Sequence, residues 1–108
     1  MEFIKTNIDT TNKKQVYRMT CGDSLKIEGI EKGMTIPVDN YALYQEGDKE
    51  VLTFTSGAHK YGTISKTFIK SFMEIADIME GEKFSIIITG GVSKNGRNYV
   101  NCELDCND

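Results

Sequence analysis

Catalysis needs a nucleophile or base held beside a group that orients it, and this chain offers no such pair. Its one histidine, His59, has no serine or cysteine next to it, and its carboxylates are scattered over turns and a helix surface. Gly90-Gly91-Val92-Ser93-Lys94-Asn95-Gly96 has the glycines and lysine of a phosphate loop but not the Gly-x-x-x-x-Gly-Lys-Ser/Thr order. It also joins strand to strand, so no helix N-terminus would face a phosphate. The three cysteines, Cys21, Cys102 and Cys106, are odd in number and lack the close-spaced pairs of a structural zinc site, so they read as free thiols. No enzyme activity, metal or cofactor is expected.

The residues that remain are cationic and aromatic. Lys94, Arg97 and Tyr99 follow one another along a predicted hairpin, Lys66 and Lys70 open a predicted helix, and Lys60 and Tyr61 alternate in a strand. Single-stranded nucleic acid is gripped by cations that track its backbone and by flat rings on which any base can stack. An arginine two residues from an outward tyrosine supplies both.

These side chains must be positioned by strands and one helix. Phe68, Ile69, Phe72, Ile75, Ala76 and Met79 recur at helical spacing, with Ser65 placed as N-cap and Gly81 at the exit. Residues 35–44, 50–55 and 58–62 read as strands before the helix, and 83–91 and 97–104 as a hairpin after it. For that hairpin, a two-residue Asn-Gly turn would put Ile86 and Ile88 on the face of Asn101 and Glu103. A three-residue loop with Gly96 left-handed pairs Ser93 with Arg97 instead. It gathers Ile86, Ile88, Val100, Cys102 and Leu104 on one face and Arg97, Tyr99, Asn101 and Glu103 on the other, and is preferred. In the preceding hairpin a two-residue turn would turn Lys60 outward beside Thr53, and one more residue would put Tyr61 there; the sequence leaves both open. Gln15–Thr20 reads as a short strand, and residues 25–33 as a short helix or an irregular link. Residues 1–14 read as a flexible N-terminal arm with little structure of its own, ordered against the body or a neighbouring subunit.

The expected fold is a single mainly-β domain over residues 1–108. Residues 15–104 would form an OB-like, five-stranded, partly open barrel with one α-helix between strands three and four, and 105–108 a short acidic tail. An open α+β sheet with the helix across one face is the alternative. At 108 residues there is room for one modest core. The net charge of −3 argues against general affinity for polyanions, but its distribution is uneven. Residues 57–102 carry six basic and four acidic groups, against seven and nine in 1–56 and none and three in 103–108. No apolar run approaches the ~20 residues of a membrane span and no signal sequence is apparent, so a cytoplasmic protein without membrane contact is expected.

The pattern Thr63-x-Ser65-Lys66-Thr67-Phe68-Ile69-x-x-Phe72, then Ser93-Lys94-x-Gly96-Arg97-x-Tyr99-x-x-Cys102, resembles small proteins of bacteriophages and mobile elements of Gram-positive bacteria. OB-fold single-stranded DNA-binding proteins occur among them. The resemblance spans roughly residues 34–104 and lies in pattern and strand order. It implies that the loop between strands four and five, with Lys94, Arg97 and Tyr99, and the outer face of strands two and three, with Lys60 or Tyr61, grip the strand. Glu103, Asp105 and Asp108 resemble faintly the acidic tip by which such proteins recruit partners. The implied function is non-catalytic single-stranded DNA binding, DNA more than RNA, in phage or plasmid replication or recombination, with replication or recombination proteins and further copies of itself as partners. A protein-interaction module, such as a phage inhibitor of a host enzyme, is the alternative.

Overall fold

The structure, a computed structural model, describes residues 2–106. Among them the chain forms β1 (Glu2–Thr6), α1 (Lys13–Thr20), β2 (Leu25–Lys26), a 3-10 turn (Ile27–Gly29), β3 (Thr35–Val38), β4 (Asn40–Glu46), β5 (Lys49–Ser56), β6 (His59–Thr63), α2 (Lys66–Met79), β7 (Phe84–Val92) and β8 (Asn98–Leu104). The mainly-β expectation holds. In place of five strands and one helix there are two helices and two sheets, ordered β1-β4-β5-β6-β2 and β3-β7-β8, and no barrel closes.

The sheets meet at Asp39, the only residue between β3 and β4. Before it the chain pairs with β7; after it, with β5 and β1. The switch is pinned by hydrogen bonds from Asp39 N to Thr55 O (2.8 Å) and from Gly57 N to the Asp39 carboxylate (2.7 Å). At the far side β6 and β8 do not pair. β2 lies parallel on the edge of β6, and the 3-10 turn behind it touches both β6 and β8, burying Ile27 completely.

Helix α2 forms as its spacing predicts. Ser65 Oγ accepts from Phe68 N, and the chain turns left-handed at the exit over two residues, Glu80 (φ 49°) and the expected Gly81 (φ 89°). Its Phe68, Phe72, Ile75 and Ala76 sink between the sheets. The ring of Phe72 lies 5.2 Å from Phe54 of one sheet and 5.7 Å from Phe84 of the other. Removing such water-exposed apolar area is the main source of stability here.

The N-terminal third departs most from expectation. Residues 2–6 of the expected arm are strand, ordered against the body by pairing with β4. Its Asn and Thr residues hydrogen-bond that strand directly: Thr6 Oγ1 donates to Tyr41 O (2.6 Å), and Tyr41 N donates to Asn7 Oδ1 (2.8 Å). Residues 13–20 are helix, correcting the strand read at Gln15–Thr20. Asn12 caps the helix by accepting from Lys14 N and Gln15 N, and Val16 and Met19, three apart, share its inward face. Met19 joins Ile8, Ala42 and Tyr44 in a second, smaller core on the outer face of β4 and β5.

Candidate functional site

The β7–β8 hairpin takes the register that packing favours. Ser93 N donates to Arg97 O (2.8 Å), Gly96 N donates to Ser93 O (2.9 Å), and Gly96 is left-handed at φ 77°. Ile88 therefore opposes Cys102 and Gly91 opposes Tyr99. Ile86, Ile88 and Cys102 enter the core, while Arg97, Tyr99, Asn101 and Glu103 lie on the outward face. Lys94 and Arg97 are exposed at the tip, and among the described residues neither forms an ion pair.

Tyr99 is 42% exposed and its ring end lies over Gly91. A Cβ added at Gly91 would sit 3.1 Å from Tyr99 Oη and 3.4 Å from Cζ. The ring thus rests on bare backbone, held from beneath and open above. At Gly90 a Cβ would overlap the carbonyl oxygen of Tyr99, so the two strands need glycine there to approach. The stem of Lys32 passes the same point, its Cε 3.1 Å from that position. Lys32 is a cation the sequence reading missed, because it reaches the hairpin only through the loop that continues β3: Gly33 N donates to Ile88 O (2.7 Å).

The other expected site residues are placed elsewhere. The two-residue turn Gly57-Ala58 sets Ser56 opposite His59, so Lys60 faces the side of Thr53 and Tyr61 faces inward. Tyr61 is a core residue, 6% exposed and stacked 5.2 Å from Phe54, and cannot meet a ligand. Lys60 does point outward, but its ammonium donates to Arg18 O (2.9 Å) and Cys21 O at the end of α1. Burial lowers its pKa, and the partial negative charge of the helix C-terminus holds the cation in place. Lys66 is exposed at the start of α2, where it borders a hollow shared with Gln45, Asp48, Lys49 and Glu50.

The outer face of β5 and β6, expected to be open, is covered by α1. Thr53 Oγ1 donates to Met19 O (2.7 Å) and Arg18 Nη2 to Gly57 O (3.0 Å). What stays open is a groove of about 610 Å³ whose walls include Thr20, Val51, Lys60, Gly62 and the exposed Ile64. Tyr41 and Tyr44 are buried, and burial raises both phenol pKa values. Of the tyrosines only Tyr99 and Tyr17, on the outer side of α1, present large open surfaces.

His59 lies 6.4 Å from the Tyr61 ring, in no arrangement with a nucleophile. Burial pushes the Cys102 thiol up to about 12, whereas Cys21 and Cys106 are exposed. Among the described residues no group of three metal-ligating side chains comes together, and no helix is long and apolar enough to cross a membrane. Asp108 of the acidic tip lies outside the described residues. No family model matches the chain, and no curated protein or solved structure matches it.

Proposed function

We propose that the protein binds single-stranded DNA without reacting with it, as a small cytoplasmic component of phage or plasmid replication or recombination. The observation that carries this reading is Tyr99: an open ring seated on Gly91, two residues from Arg97 on the same outward face, with Lys94 at the tip beyond. That is a stacking platform with cations at one end, the minimum that a single strand requires. The net charge of −3 confines binding to this local surface, and Glu103 on the same face repels phosphate at its other end.

The strand order supports an OB-like reading of the fold. Taking β3 and β4 as one strand bent at Asp39, the neighbours run β6-β5-β4, then β3-β7-β8. That order is the one a five-stranded OB barrel would have if left open between its third and fifth strands, with α2 between the third and fourth. The β7–β8 hairpin is then the loop between strands four and five. The face of strands two and three is occupied by α1, which shifts the weight of binding to the hairpin. Replication or recombination proteins and further copies of the chain are the partners this role implies.

The test is fluorescence anisotropy of a labelled oligothymidine at low and moderate salt, with a duplex of equal length as control. Single-strand binding that falls steeply with salt is expected, and Arg97→Ala should reduce the salt slope by about one phosphate contact. No binding at low salt overturns the proposal. A second reading, a protein-interaction module such as an inhibitor of a host enzyme, draws on β8, which among the described residues pairs with β7 alone and leaves its other edge for a partner strand. Salt-insensitive capture of one host protein, with no DNA retained, would favour it.

A further inference from the structure

We propose that Asn101 reads the base stacked on Tyr99 and favours bases that carry a keto oxygen, thymine or guanine, over the amino bases cytosine and adenine. The inference rests on the single-strand reading of the hairpin. Asn101 follows Tyr99 by two residues on β8, so both side chains stand on the outward face, roughly 7 Å apart along the strand. A pyrimidine lying on the tyrosine ring spans that separation with its exocyclic group.

The chemistry of Asn101 is fixed by its own backbone. Cys102 N donates to Asn101 Oδ1 at 2.9 Å. A backbone N–H only donates, so the amide atom facing it is the oxygen; the bond takes one of its two lone pairs and holds it toward the strand edge, while Nδ2 keeps both hydrogens for a ligand. Cys102 N–H belongs to the edge of β8 that has no partner strand, and capping it locks the amide in this orientation. An amide that turns its donors toward the base pairs with a carbonyl at the 4-position of thymine or the 6-position of guanine. It meets an amino group there unpaired, donor against donor. Opposite Asn101 on β7 stands Thr89, whose hydroxyl both donates and accepts and so does not oppose this preference. Glu103, the next side chain on the face, keeps the strand's phosphates toward Arg97, which leaves the base edge as the part that reaches Asn101.

The experiment compares the full chain's affinity for labelled oligothymidine and oligocytidine of equal length at pH 8, in wild type, Asn101→Asp and Asn101→Ala. Aspartate retains an oxygen for Cys102 N and replaces the donors with an acceptor, so that variant keeps the edge capped. Wild type is expected to prefer oligothymidine by about fivefold, the worth of one hydrogen bond. The preference should vanish in Asn101→Ala and reverse in Asn101→Asp, even as the added charge weakens both complexes. Equal wild-type affinities, or a preference that Asn101→Asp leaves unaltered, overturn the role of Asn101 while leaving single-strand binding intact. Failure of wild type to bind either oligonucleotide overturns both.

Discussion

Replacing Gly91 with valine tests whether the seat of Tyr99, and not merely its presence, matters. Gly91 has an ordinary extended backbone, so a side chain there is not strained by φ. The new Cβ would stand 3.1 Å from Tyr99 Oη, tighter than such contacts usually settle, and in ordinary contact with Cζ and Cε1 at 3.4 and 3.5 Å. Valine adds two methyl groups beyond it, so the ring must swing off the strand. On the strand alone the substitution is favourable: valine exceeds glycine by up to about 1 kcal/mol in sheets. The fold should therefore hold or gain stability while the platform is lost. Stacking on an aromatic side chain is worth about 1–3 kcal/mol per base. Losing half of the middle of that range, about 2 kcal/mol, gives about 1 kcal/mol, or roughly a fivefold weaker complex. Anisotropy with oligothymidine reads the affinity and urea unfolding reads the stability. The upfield ring-current shift of the Gly91 α-protons, absent in Tyr99→Ala, reports the seating independently of any ligand. Undiminished affinity in Gly91→Val, alongside a clear loss in Tyr99→Ala, would refute the idea that the backbone seat orients the ring.

Phe72→Ala should cost about 3–5 kcal/mol in urea unfolding, since Phe72 is fully buried between the two sheets. Lys60→Met should lower stability by about 1 kcal/mol by freeing two carbonyls at the end of α1. It should alter the salt dependence of DNA binding less than Arg97→Ala does, because the ammonium is already engaged. Burial raises the Cys102 thiol from its ordinary 9.0 to about 12, so the unfolded chain releases that proton first as pH climbs. Its contribution to stability is whole below pH 9 and declines from there toward pH 12, a fall that Cys102→Ala should flatten in alkaline unfolding curves. In the folded protein a thiol reagent at pH 8 should label Cys21 and Cys106 and spare Cys102 until denaturant is added.

What was legible in the sequence follows from where periodicity and packing coincide. Helix α2 announces itself because its apolar residues recur at one period over fourteen positions. The β7–β8 register follows because only one loop length puts Ile86, Ile88 and Cys102 on a common face. The β5–β6 turn stayed open because Lys60 and Tyr61 each make chemical sense outward, and tertiary contacts decide it: Phe54 takes Tyr61, and the end of α1 takes Lys60. The N-terminal strand and α1 were illegible for a different reason. Only two apolar residues, Val16 and Met19, mark the inward face of α1, too few to reveal a period, and much of the remaining cohesion comes from Asn7, Asn12 and Thr6 hydrogen-bonding to backbone. Covering the β5–β6 face with α1 then removed half of the expected surface, and Lys32 entered the hairpin site from a loop that composition alone places nowhere.

Asp39 couples the fates of the two sheets. One continuous run, residues 35–46, is hydrogen-bonded to β7 on one side of that residue and to β5 and β1 on the other, and a single carboxylate ties the crossing to Gly57. Neither sheet can be peeled away without withdrawing a strand from the other, so the molecule has no natural line of partial melting through its main core. Its amides in β4 and β7 should exchange with solvent at one common, global rate, and the chain should come apart in one cooperative step.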